Sequence, residues 1–242
     1  MNTNYTPNTV QIDAIREQII ASMGLKEKLL SPEACNDIGT IENVVLNAFT
    51  EGKKVFICGN GGSAADAQHI AAEFVVRFLP NSNRPPLPMI ALTTDSSVLT
   101  ACGNDFGYDK VFSQQLKAIG NRGDVVILIS TSGNSANLIQ AAQYANNNNI
   151  TTIGLLGGDG GSLKALCNYS IVVPSTITAR VQECHILIGH IICQRVEGYY
   201  ALPLLNGDNT ITIKTEEAGT SLLSPKSTPL VDTKKPAAKV FF

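Results

Sequence analysis

Two helical patterns open the chain. Apolar residues recur at intervals of three and four from residue 9 to about residue 23, and a second stretch with this period runs from about residue 32 through IENVVLNAF. Apolar side chains with this spacing fall on one side of an α-helix. The pattern predicts two amphipathic helices within residues 1–50.

Short apolar runs then alternate with helical stretches. The runs are KKVFICG, PMIALTT, VVILIST, TTIGLLG and YSIVVP, and helices are expected at residues 64–78, 96–102, 136–146 and 179–199. Continuous apolar strands that alternate with helices are typical of a parallel sheet covered on both faces. The sequence therefore predicts an α/β fold with a parallel sheet flanked by helices and an N-terminal helical extension.

The chain divides into three parts by composition. Residues 1–50 are expected to be helices of the same fold and an oligomer interface, and residues 51–198 the α/β domain. Residues 199–242 are rich in Thr, Ser, Pro and Lys without a sustained period, which predicts a mobile tail or linker.

Composition argues against several classes of partner. With 242 residues, 16% of them charged, and a net charge of −2, the chain offers no basic surface for nucleic acid. It has no apolar stretch of the roughly 18 residues that a membrane span needs, and no positively charged leader. Its six cysteines lack C-x-x-C spacing, so they are expected to be reduced packing residues of a cytoplasmic protein.

The first predicted strand ends in a glycine turn that suits two kinds of site. Gly59, Gly61 and Ala64 match the dinucleotide pattern G-x-G-x-x-G/A. No acidic residue follows at the usual distance to hold a ribose, because Asp95 comes too late. A small polar ligand that approaches the backbone closely is the stronger interpretation.

A loop rich in hydroxyl groups follows the third predicted strand. It contains Ser130, Thr131, Ser132 and Ser135, and a helix is expected from Ala136. The start of a helix offers unpaired N–H groups and a positive dipole end, to which the hydroxyls add neutral donors. Because a triphosphate loop would need a lysine, the pattern favours a cradle for a monophosphate. An ordinary helix N-cap is the alternative.

All 3 histidines fall on two predicted helices. His69 and Glu73 are four positions apart and share a helix face, as a ligand-binding pair or as a surface pair. Gln182 and His190 are separated by a rise of roughly 12 Å, so they would converge on one atom only from above and below, or from different subunits. His185, between them, is expected to be a structural histidine.

Motifs along the chain resemble, in type and order, those of the phosphoheptose isomerases, a family with a SIS domain. They are GNGGS at 59–63, HIAAE at 69–73, GNDFG at 103–107, STSGNSAN at 130–137, GGDGG at 157–161 and RVQECHILIGH at 180–190. The resemblance covers residues 9–198 and implies a single flavodoxin-like domain, assembled as a homotetramer with active sites between subunits. It also implies conversion of sedoheptulose 7-phosphate to D-glycero-D-manno-heptose 7-phosphate, the first step towards ADP-heptose and the lipopolysaccharide core.

The resemblance further implies a role for each matching position. Zinc, one ion per subunit, would be held by His69, Glu73, Gln182 and His190. Substrate would be contacted by Asn60, Gly61, Gly62, Ser63, Glu73, Asn104, Asp105 and Gln182. Phosphate would be held by Ser130, Thr131, Ser132 and Ser135. Asn104 and Asp105 are expected in a loop bounded by glycines.

The expected chemistry needs a base and an acid, because aldose–ketose isomerisation moves a proton between adjacent carbons through an enediol. Glu73 is the expected base and His190 the expected acid. Zinc would polarise the carbonyl, although a Glu73 that ligates zinc throughout could not also serve as base. The alternative is a non-catalytic SIS protein that senses a sugar phosphate or binds a replication initiator; the presence of both Glu73 and His190 favours the enzyme.

The final residues KVFF resemble the opening strand of haloacid-dehalogenase-type phosphatases. This suggests the hypothesis that the chain is the isomerase half of a fusion with the next phosphatase of the heptose pathway. The nucleophilic aspartate of such phosphatases does not follow in the sequence, so phosphatase activity is not expected.

Overall fold

Five parallel strands form the centre of the fold. In the computed structural model, which describes residues 8–201, the strands are β1 (Val55–Gly59), β2 (Met89–Ala91), β3 (Val125–Ser130), β4 (Thr151–Gly157) and β5 (Tyr169–Val173). They lie in the order β2-β1-β3-β4-β5, and every neighbouring pair is parallel. The predicted α/β fold with a parallel sheet is confirmed, and each predicted strand is present.

Helices cover both faces of the sheet. They are α1 (Thr9–Glu27), α2 (Pro32–Thr50), α3 (Gly62–Val75), α4 (Ser96–Asp105), α5 (Val111–Ile119), α6 (Ala136–Asn147), α7 (Gly161–Leu166) and α8 (Thr178–Ala201). Asn8 begins α1 with a capping box, and Ser31 caps α2 before a proline. Helices α5 and α7 were not predicted from the sequence, and α3 ends at Val75 instead of residue 78.

The core consists of two apolar layers, one on each face of the sheet. Ile57, Ile127 and Ile129 pack with residues of α2, α3 and α8. The alternate positions, among them Phe56 and Leu128, pack with residues of α4, α5 and α6. Burial on both faces explains why the strands read as continuous apolar runs.

The strand order creates a crevice between the carboxyl ends of β1 and β3. The chain leaves β1 towards β2 on one side, whereas β3 lies on the other side. In open parallel sheets ligands bind at such a switch point, here in the flavodoxin-like order. The glycine turn and the hydroxyl loop follow these two strands, so the fold brings them to the same crevice.

The predicted tail falls almost wholly outside the described residues. Helix α8 continues to Ala201, so the first residues assigned to the tail are helical. The remaining tail and the KVFF hypothesis lie outside residues 8–201. None of the helices within that range combines the length and the hydropathy needed to cross a membrane.

Candidate active site

The glycine turn after β1 is shaped to bring α8 against the start of α3. Gly61 is the N-cap of α3 with a φ of 56°, a conformation that favours glycine. A Cβ at Gly62 would lie 2.5 Å from Gln182 Nε2. No side chain caps this helix start, and although Ser63 N and Ala64 N donate to the carbonyls of Asn60 and Gly61, the N–H of Gly62 is left for a ligand.

A reciprocal pair of amides joins the two loops across the crevice. Asn60 Nδ2 donates to Asn137 Oδ1 at 3.0 Å, and Asn137 Nδ2 donates to Asn60 Oδ1 at 2.8 Å. Tyr108 Oη adds a third hydrogen bond to Asn60 Oδ1 at 3.2 Å. The buried Asn137 and the exposed Tyr108 were missed as site residues by sequence reasoning, although Asn137 lies within a quoted motif.

The hydroxyl loop is held by its own serines. Gly133 N donates to Ser130 Oγ at 3.0 Å, and Asn134 N donates to Ser132 Oγ at 3.3 Å. Ser135 occupies the N-cap of α6, but its hydroxyl makes no capping bond to the helix. The loop therefore has the form of an anion cradle, with helix N–H groups that no side chain occupies.

The GGDGG motif braces this loop. Gly133 has a φ of 66° and packs so closely on the Gly160 carbonyl that a Cβ could not fit. Asn134 Oδ1 accepts from the N–H and the hydroxyl of Ser162 at 2.9 and 3.0 Å, while Asn134 Nδ2 donates to the Ser132 carbonyl at 3.0 Å. Sequence reasoning quoted this motif without a role, and the structure supplies one.

Helices α3 and α8 bring the predicted acid and base to one place. His69 Nε2 lies 2.8 Å from His190 Nε2 and 3.5 Å from Glu73 Oε1. The side chains of His69 and Glu73 are 49% and 23% exposed, so a ligand can reach both. The ring of Phe78 lies 5.6 Å from that of His190 and forms one side of the cluster.

The donor set tests whether zinc fits. Histidine nitrogen and carboxylate oxygen are ligands that zinc prefers, and His69, Glu73 and His190 supply them side by side. Two imidazole nitrogens on one tetrahedral zinc would stand about 3.3 Å apart, whereas those of His69 and His190 are hydrogen-bonded at 2.8 Å. Among residues 8–201 no group of three His, Cys, Asp or Glu is arranged to hold a metal ion. The donor atoms are therefore of the kinds that zinc binds, but the rings of His69 and His190 would have to rotate slightly to bind one ion.

Gln182 does not join the other predicted ligands within one subunit. Its side chain lies against Gly62 at the start of α3, whereas His69 is nearly two turns further along that helix. A rise of roughly 1.5 Å per residue puts about 10 Å between these two levels. The predicted set of four ligands is thus split into a group of three and a separate glutamine.

Asp66 and His185 place two unpaired polar atoms behind the cluster. His185 Nε2 donates to the Leu156 carbonyl at 3.0 Å, and burial lowers its pKa to about 4, as expected of a structural histidine. Burial raises the pKa of Asp66 more than the nearby His69 and His190 lower it. Asp66 Oδ2 and His185 Nδ1 have no partner and line one cavity of about 10 Å³, the space of a single water.

Asn104 and Asp105 lie in the last turn of α4, not in a loop as predicted. The Asp95 carboxylate caps α4 through Val98 N at 3.0 Å, and the helix continues until the chain turns at Gly107, whose φ is 91°. Both side chains are exposed, and Asn104 Nδ2 donates to Asp105 Oδ1 at 2.8 Å. The capping role of Asp95 also leaves the dinucleotide interpretation without a ribose ligand.

The chain resembles known proteins over most of its length. The family description "SIS domain" matches residues 25–157. A phosphoheptose isomerase of Clostridium acetobutylicum is 52% identical over 184 residues, which are 76% of this chain and 93% of that protein. A structure of a phosphoheptose isomerase from Francisella tularensis is 34% identical with a TM-score of 0.72, covering 77% of this chain and 97% of that one. The corresponding structure from Neisseria gonorrhoeae is 40% identical with a TM-score of 0.67, covering 77% and 96% of the two chains.

Proposed function

The chain belongs to the phosphoheptose isomerases of the SIS domain family and is a sugar-phosphate isomerase, and on that premise we propose how its residues act. The reaction is the conversion of sedoheptulose 7-phosphate to D-glycero-D-manno-heptose 7-phosphate through an enediol. The observation that supports this assignment of roles is the contact between helices α3 and α8, where His69 bridges the proposed base Glu73 and the proposed acid His190.

Proton transfer is assigned to Glu73 and His190. The Glu73 carboxylate removes a proton from C1 of the ketose while His190 protonates the oxygen on C2, which gives the enediol. Glu73 then returns the proton to C2, and His190 takes the proton from the oxygen on C1 to leave the aldehyde. No proton is gained or lost over the cycle, as an isomerisation requires.

The two loops of the crevice are assigned to binding. Ser130, Thr131, Ser132 and Ser135, with the N–H groups that begin α6, hold the phosphate. Asn60, Gly61, Gly62, Ser63, Asn104, Asp105 and Gln182 contact the sugar. The absence of a lysine or arginine from residues 130–135 is compatible with this role, because a helix start supplies positive potential through its dipole.

The proposal includes one zinc ion per subunit, which would be held by His69, Glu73 and His190, with Gln182 as a further ligand; Glu73 and His190 would have to be released from the ion to act as base and acid. Bound zinc would polarise the substrate carbonyl. The split between Gln182 and the other ligands within one subunit supports a site that a neighbouring subunit completes. Equilibrium dialysis against zinc, followed by metal analysis, tests this: wild type should retain about one ion per subunit, and His69→Ala should retain none.

A homotetramer with sites between subunits is also part of the proposal. Helix α1 exposes a row of large apolar residues, namely Val10, Ile12, Ile15, Ile19, Ile20 and Met23. Helix α1 contacts α8 through polar groups, for example Ser22 Oγ, which donates to Glu183 Oε2 at 2.6 Å. An apolar face of this size on a helix is best covered by another copy of the chain.

Isomerisation in deuterated water, followed by NMR, tests the function. Wild type is expected to form the aldoheptose phosphate and to exchange deuterium into the sugar, and Glu73→Gln is expected to do neither. Glu51→Gln, an exposed residue before β1, is the matched control and should behave as wild type. A folded, zinc-supplied wild type that gives neither product nor exchange would support the non-catalytic alternative.

The proposed setting is the first step of heptose supply for the lipopolysaccharide core, in the cytoplasm. All six cysteines are free thiols, which accords with a reducing compartment. Disruption of the gene in a heptose-dependent host, with rescue by wild type and not by Glu73→Gln, checks this setting.

A further inference from the structure

A buried ion pair outside every quoted motif connects the segment after α3 to helix α8. Arg84 Nε donates to Glu197 Oε2 at 3.1 Å, and both side chains are only 1% exposed. Two charges are expensive to bury, and an apolar pair of similar volume is often equally stable. The other contacts of these two side chains therefore indicate what the pair does.

The guanidinium of Arg84 binds the backbone of Glu73. Arg84 Nη2 donates to the Glu73 carbonyl at 2.7 Å, and Nη1 donates to the Pro85 carbonyl at 3.0 Å. Glu73 lies in the last turn of α3, where carbonyl groups lack partners within the helix. The last turn of α3 contains no basic residue, so Arg84 supplies the cation that complements this helix end.

The carboxylate of Glu197 fixes the chain beside His190. Its Oε2 accepts from Phe78 N at 2.7 Å, and its Oε1 accepts from Leu79 N at 2.9 Å. The ring of Phe78 is the one that lies 5.6 Å from the ring of His190. Burial would raise the pKa of Glu197, but the two N–H groups and Arg84 outweigh this effect and hold the pKa below its usual value.

We propose that Arg84 and Glu197 are positioning residues for the isomerase reaction. Arg84 holds the backbone of Glu73, on α3, and Glu197 holds the backbone of Phe78, whose ring lies beside His190. The pair thereby sets the separation between base and acid. This inference rests on the proposed roles of Glu73 and His190. Neither Arg84 nor Glu197 reaches the substrate itself, since both are buried.

The test separates positioning from stability. In Arg84→Met/Glu197→Leu the pair is replaced by apolar side chains, which should keep the fold while the bonds to Glu73 and Phe78 are lost. Arg84→Lys keeps the charge, but an ammonium lacks the fork that reaches Glu197 and two carbonyls together. The matched control is Arg195→Gln/Glu42→Gln, which removes a more exposed pair that joins α8 to α2.

Both Arg84 variants are expected to fold and to keep the wild-type oligomeric state, with a melting temperature lowered by several degrees because the backbone groups of Glu73 and Phe78 lose their partners. Their kcat should fall by about 10²-fold, the loss typical of a misplaced catalytic group. KM should change little, because the hydroxyl loop, which is proposed to hold the substrate phosphate, lies elsewhere. The Arg195/Glu42 control should retain wild-type kcat.

A folded Arg84→Lys or double variant with wild-type kcat would overturn the inference. Inactive wild type in the same assay would instead count against the proposed function. In that case a crystal structure of Arg84→Lys decides the inference: displacement of the Glu73 carbonyl and the Phe78 ring supports it, and their unchanged positions overturn it.

Discussion

At the scale of the residue, hydrogen-bonding capacity limits what Asn60 can do. Its carbonyl oxygen has two lone pairs, and Asn137 and Tyr108 occupy them. Its amide nitrogen gives one hydrogen to Asn137 and keeps one. Asn60 can therefore donate to a substrate oxygen but has no capacity left to accept, which suits an oxygen that gains negative charge in the enediol.

Tyr108→Phe should weaken this arrangement without destroying it. Loss of one neutral hydrogen bond frees the Asn60 oxygen and loosens the amide, so kcat/KM should fall by about 2- to 10-fold. Steady-state kinetics check the expectation, with Tyr169→Phe, on the edge strand β5, as control. Unchanged kinetics in Tyr108→Phe would show that Asn137 alone fixes Asn60.

His185 should make the fold sensitive to acid. Its pKa is lowered by burial from 6.5 to about 4, so the unfolded chain takes up a proton first as the pH falls. The contribution of neutral His185 to the free energy of unfolding is fully present above pH 6.5. It is lost between pH 6.5 and about 4, by about 3 kcal/mol in total. Urea unfolding across this range should show a smaller loss in His185→Gln, which can still donate to the Leu156 carbonyl. An equal loss in both proteins would contradict the expectation.

At the scale of the element, local patterns predicted strands better than short helices. The five strands are apolar runs bounded by polar residues, and each run forms a strand in the structure. Helix α5 was missed although Val111, Phe112 and Leu116 are buried at helical spacing, because it has only nine residues and follows the glycine-bounded segment that was expected to be a loop. Helix α7 has six residues, too few for a period, and follows Gly160 in a left-handed conformation.

The brace under the hydroxyl loop yields a prediction at this scale. Asn134→Ala removes the bonds to Ser162 and to the Ser132 carbonyl, so the loop should lose its fixed shape. KM for the sugar phosphate, and the inhibition constant of inorganic phosphate, should both rise by about tenfold, with kcat changed less. Asn148→Ala, at the exposed end of α6, is the control. A fall in kcat with constant KM would assign Asn134 to the chemistry instead.

At the scale of the whole molecule, the sequence offered candidate site residues only within continuous motifs. It could not predict contacts between distant segments: Arg84 and Glu197 are 113 positions apart, and Asn134 and Ser162 are 28 apart. No periodic pattern or spacing identifies such pairs, because the local sequence around one partner contains no information about the other. The separation of Gln182 from His190 followed from helix spacing alone, whereas the position of Gln182 against Gly62, away from His69, emerged only when α3 and α8 were placed side by side.

The apolar face of α1 leads to a prediction about assembly. Ile19 and Ile20 are 54% and 65% exposed, so a charge there should leave the subunit folded and disrupt its contact with another copy. Light scattering should show a tetramer for wild type and smaller species for Ile19→Glu/Ile20→Glu, with activity lost in parallel. Glu17→Lys, at an exposed charged position on the same helix, is the control. A tetrameric, active double variant would place the interface elsewhere.

The late position of α8 in the chain has a consequence during translation. Helix α8 contributes Val181, Ile188 and Val196 to the apolar layer beneath α2 and α3, and it follows every strand of the sheet. A ribosome adds about 5 to 20 residues per second and releases the N-terminal part first. For some seconds the nascent sheet therefore lacks the part of its cover that α8 provides, although α2 and α3 are already present. Because His190 lies on α8, catalysis cannot begin until that helix has emerged and packed against α2 and α3.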